Sequence, residues 1–365
     1  MKNRLVILGC LVTAIGVSAG CTQSTHTAYV TVPTDNSVQG YRINNSSGAF
    51  QNLPGSPFPA GLSPVSVVVH PSGHFAYAAN QLGNNISIFS IDANTGALEE
   101  MKTQVSTAVS PVSLAINSSG SLLFALNSAS ANISVFAIAS DGTLTPISGS
   151  PFASGSNPSS LVVSPSDKFL YVANPDESGV EAYTIASTGA LQQVAGSPFF
   201  VAAGPIAISF DPGENFAFVA DSAANSVSVE TINSTTGALT EVSGSPFAAG
   251  TNPIAVTTDV KGQYVYVLNL GSSNISEFSL DPTTGFLTPI QDNSTTANPI
   301  SSSTVATSSS PVFILADPNG SFFYVGSRSG NTVQEFSIDQ ATGVLTANSQ
   351  SATTGVSPTS MSLGK

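Results

Sequence analysis

Short runs of alternating apolar and polar residues fill most of the chain and recur at a regular spacing. Residues 64–107 show one full unit, in which the runs PVSVVVHP, HFAYAAN, ISIFSID and ALEEMKTQV are separated by SG, QLGNN and ANTG. Such alternation is typical of half-buried β-strands, and a glycine-containing turn between two runs predicts a hairpin. The unit therefore predicts four antiparallel strands and no helix.

Two sets of anchor residues count the units independently. A glycine followed two residues later by Leu or Phe occurs at Gly48, Gly96, Gly142, Gly189, Gly237, Gly285 and Gly343. A proline that opens an apolar run occurs at Pro64, Pro111, Pro158, Pro205, Pro253, Pro311 and Pro358. Four-stranded repeats of about 40–50 residues are typical of propeller blades. The sequence thus predicts an all-β fold, a seven-bladed β-propeller.

The two ends of the chain carry incomplete units that complement each other. Residues 29–43 align with the second and third runs of the unit, without a first run before them. The C-terminal segment SPTSMSLGK has the pattern of a first run with nothing after it. We therefore predict that the last strand completes the N-terminal blade, which leaves no open edge between blades.

Two kinds of segment connect the units. The tetrapeptide GSPF begins at Gly55, Gly149, Gly196 and Gly244 and is predicted to lead into the next blade, with its phenylalanine packed between sheets. Residues 291–310 are rich in Ser and Thr and lack periodicity. They are predicted to form a long loop between the fifth and sixth complete units.

The first 21 residues have the pattern of a targeting segment. A positive start, MKNR, precedes 13 apolar residues and the small residues SAG before Cys21. The apolar stretch is shorter than the roughly 20 residues that a transmembrane helix needs. SAGC resembles a bacterial lipobox, although Ser18 departs from its usual aliphatic residue. We predict a signal peptide at 1–20, lipid attachment at Cys21, a tether at 21–28 and a propeller at 29–365; a plain secretory signal is the alternative.

This pattern and the composition predict where the protein resides and what it does not bind. A lipidated Cys21 would anchor the protein in the bacterial cell envelope, and Thr22 after it favours the outer membrane. The net charge of −13, with eight Lys and Arg in total, excludes the basic surface that nucleic acids require. The three histidines lack metal-ligand spacing, so we expect neither a metal nor a cofactor.

The phrases HPSGHFAYAAN, SPSDKFLYVAN and DPNGSFFYVGS, each followed by a TG-x-L type of turn, resemble the seven-bladed lactonase family. This family includes bacterial 6-phosphogluconolactonase-like propellers and fungal carboxymuconate lactonising enzymes. The resemblance implies Arg, His and Glu at the top mouth of the channel, with an Arg-His pair just after the proline of a first strand. Such residues would stabilise an oxyanion and activate water.

The residues that follow the seven prolines do not match this expectation, because none is Arg or His. No catalytic residue is therefore carried over from the family. Arg328, in GSRSGN, is the basic residue expected on the top face and is the candidate catalytic residue. The other basic residues are expected at the bottom face, in strands or in the tether: His26, Arg42, His70, His74, Lys102, Lys168 and Lys261.

A ring of polar residues is predicted to close the second strands at the top rim. Its members are Asn80, Asn127, Asn174, Asp221 and Asn269, with Ser327 and Val32 at the last two places. Asn and Asp at these places either cap strand ends or form a polar mouth that binds a ligand. On the second interpretation the five residues and Arg328 form the binding site, and Asp221 and Arg328 break the symmetry of the ring.

The leading hypothesis is a binding or interaction scaffold at the cell envelope, derived from a lactonase-like ancestor that lost its charged site. Its partners would be the membrane, through the lipid anchor, and a protein, a polysaccharide or a small polar ligand. The alternative is a lactonase that hydrolyses a cyclic ester, such as 6-phosphogluconolactone, at an atypical site near Arg328 and residues 291–310. A purely architectural surface protein is the third possibility.

Overall fold

Seven antiparallel sheets make up the structure, a computed structural model that describes residues 25–101, 104–290 and 304–364. The sheets are blades, and their innermost strands surround a central channel. Within the described ranges the helical segments are two short 3-10 helices, Pro33–Asp35 and Pro175–Glu177. The fold is therefore an all-β, seven-bladed propeller, as the repeats predict.

The strands are numbered in chain order. Blade 1 contains β1 (Thr25–Val32), β2 (Ser37–Asn44), β3 (Phe50–Asn52) and β4 (Phe58–Pro59). Blade 2 contains β5 (Pro64–Val69), β6 (Phe75–Asn80), β7 (Asn85–Ile91), β8 (Leu98–Glu100) and β9 (Val105–Ser106). Blade 3 contains β10 (Pro111–Ile116), β11 (Leu122–Asn127), β12 (Asn132–Ile138), β13 (Leu144–Pro146) and β14 (Phe152–Ala153). Blade 4 contains β15 (Ser160–Val163), β16 (Phe169–Asn174), β17 (Gly179–Ile185), β18 (Leu191–Gln193) and β19 (Phe199–Phe200).

The remaining blades follow the same plan. Blade 5 contains β20 (Pro205–Phe210), β21 (Phe216–Asp221), β22 (Ser226–Ile232), β23 (Leu239–Glu241) and β24 (Phe247–Ala248). Blade 6 contains β25 (Pro253–Thr258), β26 (Tyr264–Asn269), β27 (Asn274–Leu280), β28 (Leu287–Pro289) and β29 (Thr304–Ala306). Blade 7 contains β30 (Pro311–Ala316), β31 (Phe322–Ser327), β32 (Thr332–Ile338) and β33 (Leu345–Thr353). The last strand, β34 (Met361–Leu363), belongs to blade 1.

The second strand of each blade packs against both neighbouring blades. All six residues of β11, β16, β21 and β31 are buried, so these strands are covered on both faces rather than one. Tyrosines on four second strands also reach across the blade boundary: Tyr29, Tyr77, Tyr171 and Tyr266 donate hydrogen bonds of 2.7–3.0 Å to the carbonyls of Gly96, Gly142, Gly237 and Gly343. The glycine of the repeated turn thus links adjacent blades.

A side chain at this glycine would clash with the neighbouring blade. Gly142 has a φ of +83°, a conformation that glycine adopts without a steric penalty. A Cβ atom on Gly142 would lie 2.5 Å from the ring of Phe75. The close approach and the positive φ explain why the turn glycine recurs in every unit.

The C-terminal strand closes the ring, as predicted. In β34, Met361, Ser362 and Leu363 pair with Val30, Tyr29 and Ala28 of β1. The β1 strand begins at Thr25, four residues before the predicted start of the propeller. Residues 25–28, which the sequence assigns to the tether, therefore belong to blade 1, because they pair with residues 41–44 of β2.

Several predicted segments lie partly or wholly outside the described residues. The signal peptide at 1–20, Cys21 and Lys102 are among them, and so are residues 291–303 of the predicted loop. The end of that loop, Thr304–Ala306, pairs with β27 as a short strand.

The GSPF phrases likewise lead into two-residue strands, which pair with the third strand of their own blade. The phenylalanines Phe58 and Phe247 of these phrases are buried. In the part of the chain described here, no helix is long and apolar enough to cross a membrane.

Candidate functional site

The direction of the strands defines two faces of the propeller. The top face holds the connections between blades and the loops between second and third strands, because Pro64 at the start of β5 pairs with Asn80 at the end of β6. The bottom face holds the turns between first and second strands and those between third and fourth strands.

The predicted ring of polar residues is buried and does not line the rim. Asn80, Asn127, Asn174, Asp221, Asn269 and Ser327 are each 0% exposed. The Asn80 amide donates to Asn85 Oδ1 at 2.7 Å and to Ser87 Oγ at 3.0 Å, and Asn127 and Asn269 make equivalent bonds. The expectation of a rim-lining mouth is therefore wrong: linker residues such as Gly61, which donates to Ser87 Oγ, cover the ring. Its contacts fit the alternative role, which is to cap strand ends.

Asp221 and Arg328 do not form a charged pair. Asp221 lies at the end of β21 in blade 5 and accepts a 2.8 Å hydrogen bond from Ser228. Burial raises the pKa of its carboxyl to about 7. Arg328 is exposed on the top face beyond β31 in blade 7, with blade 6 between the two residues. The structure thus provides no joint site from these two predicted residues.

The central channel contains a cavity without charged side chains in its lining. This cavity of about 590 Å³ is lined by aliphatic side chains and serine hydroxyls of the inner strands. Ser66, Ser113, Ser360 and Ser362 supply the hydroxyls. This cavity therefore lacks the cation and the base that ester hydrolysis needs.

Charged side chains converge instead on the bottom face, between blades 1 and 2. A cavity of about 380 Å³ lies there, which we call the lower cavity. Its polar lining includes His26, Arg42, Ser72, His74, Asp92 and Asn94. Blade 1 supplies Arg42 from β2, and blade 2 supplies His74 and Asp92 from its two bottom turns.

Arg42 is fixed in place by the neighbouring blade. Its guanidinium Nη2 donates to the carbonyls of Asn94 and Thr95 at 3.2 and 3.0 Å. These carbonyls belong to the repeated turn before Gly96. Among the described residues its other donors have no partner, so they are available to an oxygen in the cavity.

An imidazole and a carboxylate line the lower cavity beside Arg42. His74 is exposed, and its ring packs edge-on against Phe75, with centroids 6.4 Å apart. Asp92 Oδ1 accepts hydrogen bonds from the amides of Asn94 and Thr95 and from the Thr95 hydroxyl, at 2.8–3.0 Å. These bonds lower the pKa of Asp92, so its carboxylate is ionised at neutral pH. The cavity therefore combines a fixed cation with an ionised carboxylate and an imidazole that can act as a base.

His26 also differs from its prediction, because it is part of β1 rather than the tether. It is 7% exposed, and its Nδ1 lies 2.7 Å from Asn45 Oδ1. Its Nε2 lies 3.4 Å from Asp317 Oδ2 in blade 7. Both ring nitrogens therefore face protein groups, and His26 supports the wall of the lower cavity.

Sequence reasoning missed the convergence of Arg42 and His74 because they lie in different blades. One signal was available in the repeats. Arg42 occupies a position where the other six units carry Ser90, Ala137, Thr184, Thr231, Ser279 and Ser337. A large cationic residue at a repeat position that otherwise carries small residues indicates a role beyond the structural repeat. No three His, Cys, Asp or Glu side chains converge as a metal site within the described ranges.

The family model described as "Lactonase, 7-bladed beta-propeller" matches residues 21–156, 143–256 and 208–365, and so extends over nearly the whole chain. The chain belongs to this lactonase family. A curated relative, a 6-phosphogluconolactonase of Formosa agariphila, is 36% identical over 73 residues. That match covers 20% of this chain and 20% of the relative, so it spans only a fifth of either protein.

Solved structures of similar shape extend the likeness to the whole propeller. A putative 6-phosphogluconolactonase of Bacteroides fragilis superposes with a TM-score of 0.80 at 24% identity, covering 94% of this chain and 99% of that chain. A periplasmic gluconolactonase of Pseudomonas aeruginosa gives a TM-score of 0.76 at 20% identity, with 94% and 99% coverage. At these identities the likeness shows the lactonase-family fold.

Proposed function

We propose that this lactonase-family propeller hydrolyses a cyclic ester in the lower cavity. The observation that carries the proposal is the convergence of Arg42, His74 and Asp92 on one cavity, since the lining of the channel cavity is uncharged. Family membership and the names of the relatives support the same reaction class. Of the two hypotheses drawn from the sequence, this proposal favours the alternative, a lactonase, over the leading one, a binding scaffold.

The chemistry follows from the two roles that the cavity can fill. His74, as general base, takes a proton from a water molecule, and the water oxygen attacks the lactone carbonyl carbon. The electron pair of the C=O bond moves to the carbonyl oxygen, where the Arg42 guanidinium stabilises the negative charge. Collapse of this intermediate breaks the ring C–O bond. The leaving oxygen takes the proton back from His74, and the product is a hydroxy acid.

The charges of the lower cavity favour an uncharged lactone over a phosphorylated one. Arg42 is partly occupied by two carbonyls, and the ionised Asp92 repels anions. A phosphate group carries nearly two negative charges at neutral pH and would need more than one free cation. We therefore propose a neutral sugar lactone as the substrate class.

Hydrolysis of gluconolactone and 6-phosphogluconolactone by the full-length protein, followed as acid release in a pH-stat, tests the proposal. Arg42→Gln and His74→Gln are each expected to lower kcat/KM for the neutral lactone by about 100-fold or more. Lys168→Gln, which removes an exposed cation from the bottom face of blade 4, is the matched control. No turnover of either lactone overturns the proposal. Loss of turnover only in Arg328→Gln would place the reaction on the top face.

The envelope location is a second proposal, carried by the SAGC sequence around Cys21. We propose a lipid-anchored protein of the bacterial cell envelope, with the outer membrane favoured. Metabolic labelling with a palmitate analogue tests this: labelling that is lost in Cys21→Ser supports it, and soluble, unlabelled wild-type protein contradicts it.

If lactones are not turned over, the uncharged channel cavity favours the second candidate function, a scaffold that binds a polysaccharide, a protein or a small polar ligand. A glycan array and pull-downs from envelope extracts would identify this partner.

A further inference from the structure

A second cavity lies beside the lower cavity on the bottom face. We call it the adjoining cavity, and its volume is about 360 Å³. Thr25 and His26 line both cavities, so the first two residues of β1 form the ridge between them. Thr25 is exposed, whereas His26 is buried. The two cavities are therefore separated by one short ridge that meets solvent at Thr25.

The adjoining cavity lies where blade 1 differs in topology from the other blades. In blades 2 to 7 a turn joins the first strand to the second, as residues 70–74 do in blade 2. In blade 1 the first strand is β34 and the second is β1, and no turn joins them in the described chain. The neighbouring turns border this place with Pro318 and Asn319 of blade 7 and His70 and Pro71 of blade 2. The cavity is therefore a consequence of how the ring closes.

The lower cavity itself depends on a departure from the repeat at Thr27. The other six blades carry a larger apolar or aromatic side chain at this position: Phe75, Leu122, Phe169, Phe216, Tyr264 and Phe322. Phe75 lies against Gly142, the turn glycine of the next blade, and Thr27 lies against Gly96 in the same way. Thr27 is also paired with Arg42 across β1 and β2. A small residue beside the cation thus leaves space between blades 1 and 2.

The adjoining cavity combines apolar surface with a few polar groups, and its lining contains no Asp, Glu, Lys or Arg. Its apolar surface comes from four side chains, Val69, Pro71, Pro318 and Leu363. The Thr25 hydroxyl and the Asn319 side-chain amide also line it and make no hydrogen bond within the described ranges. A sugar ring has apolar C–H faces and hydroxyls at its edge, so such a lining can pack against the ring and bind its hydroxyls.

The adjoining cavity has a fixed wall on blade 2 and an open side on blade 7. His70 Nδ1 lies 2.8 Å from Ser72 Oγ, and its Nε2 lies 2.8 Å from the carbonyl oxygen of Gly120. Pro318 and Asn319 are exposed, so water reaches the cavity from blade 7. A sugar ring keeps its outer hydroxyls hydrated there, whereas an acyl chain would leave apolar surface in water. The cavity therefore favours a sugar over an acyl chain.

We propose that the two cavities together bind the lactone of a disaccharide acid. The lactone ring lies in the lower cavity beside Arg42 and His74, the glycosidic bond crosses the ridge at Thr25, and the second sugar ring lies in the adjoining cavity. This inference rests on the proposed function and deepens it, because it extends the neutral sugar lactone by one ring. Contacts to the second ring supply binding energy remote from the reacting carbonyl, which raises kcat/KM.

Hydrolysis of gluconolactone and of cellobionolactone, its disaccharide counterpart, by the full-length protein in a pH-stat tests the inference. The kcat/KM is expected to be higher for cellobionolactone by about 10-fold or more. Asn319→Ala is expected to lower kcat/KM for cellobionolactone by about 5-fold, because one hydrogen bond is lost, and to leave gluconolactone unaffected. Ser119→Ala, at the same turn position in blade 3, is the matched control and is expected to keep both wild-type values.

A second variant distinguishes the two cavities. Thr27→Phe installs the residue that four other blades carry and is expected to fill the lower cavity beside Arg42. Its kcat/KM is expected to fall by about 100-fold or more for both lactones, whereas Asn319→Ala affects the disaccharide lactone alone. Thermal unfolding establishes that each variant is folded.

The outcomes separate this inference from the proposed function. Equal kcat/KM for the two lactones in wild type overturns the second subsite and leaves the proposed function intact, whereas no turnover of either lactone overturns both. An equal loss for both lactones in Asn319→Ala also overturns the subsite. Faster turnover of an N-acyl homoserine lactone than of cellobionolactone would assign the adjoining cavity to an apolar chain and overturn the inference as well.

Discussion

The Tyr324 hydroxyl donates a 2.8 Å hydrogen bond to Oδ2 of Asp317, within its own blade. Tyrosines at the same position in four other blades donate instead to a glycine carbonyl of the following blade. Asp211 in blade 5 shows the usual role of the carboxylate, since its Oδ1 accepts from the amides of Asn215 and Phe216. The boundary between blades 7 and 1, next to the blade in which the ring closes, therefore has its own polar network.

His26 extends this network from blade 7 into blade 1, and its removal is expected to weaken closure. His26→Ala leaves Asn45 and Asp317 without their histidine contact and is expected to lower the free energy of unfolding by about 1–3 kcal/mol. Urea denaturation measures this. His74→Ala, at an exposed histidine, is expected to change it by less than about 0.5 kcal/mol, and equal effects of the two changes would contradict the role of His26.

We expect Glu230 to make the free energy of unfolding depend on pH. It is 2% exposed, and burial, together with the charges of Glu241 and Asp221, raises its pKa to about 8. Between the unfolded value of about 4.3 and about 8, the folded state keeps a proton that the unfolded state has lost. Its contribution is therefore complete below about pH 4.3 and is lost as pH rises towards 8, at up to about 1.4 kcal/mol per pH unit.

Glu230→Phe is expected to reduce this dependence, most clearly between about pH 7 and 8, because Asp221, with a pKa of about 7, still contributes below pH 7. Four other blades carry a phenylalanine at the position: Phe89, Phe136, Phe278 and Phe336. Urea denaturation at several pH values from 5 to 9 compares the variant with wild type. Glu99→Gln, at an exposed carboxylate of blade 2, is the control and should keep the wild-type slope. A slope between pH 7 and 8 that is the same in Glu230→Phe as in wild type would contradict the role of Glu230.

Ring closure depends on the backbone of β34 more than on its side chains. Ser362 pairs with Tyr29, and the ladder beside it includes the 3.0 Å bond from the Thr31 amide to the Ser360 carbonyl. Ser362→Pro removes an amide hydrogen and is expected to cost about 3 kcal/mol. Ser362→Ala removes only the hydroxyl that accepts from the Val69 amide and is expected to cost about 1 kcal/mol. Thermal unfolding measures both, and similar losses would argue against a latch made by the backbone.

The fold was predictable from the sequence because its determinants are local and repeated. The turn glycines are needed where φ is positive and the next blade is close, as at Gly142. The first-strand prolines recur because the chain enters the first strand of each blade at the same repeat position. These signals appear in every unit, so even incomplete units at the two ends predict how the ring closes.

The site was less predictable because it depends on burial and on contacts between blades. The sequence correctly predicts that Asn80 ends a strand. Its burial, however, depends on Gly61, which lies against its side chain in the connection above it. His26 lies in a segment without clear alternation, and its strand is defined by pairing with β2 and β34. Arg42 and His74 meet only because consecutive blades are neighbours, which the repeat positions alone did not reveal.

The pairing of β1 with β34 brings both ends of the propeller to the bottom face, where the Gly364 amide bonds to the Thr27 carbonyl at 2.8 Å. A pulling force applied between these ends would separate the pairs one after another, as in unzipping, instead of shearing them together. The ring should therefore open mechanically at low force at the β1–β34 pairing within blade 1, while tension carried across the other blades meets longer ladders.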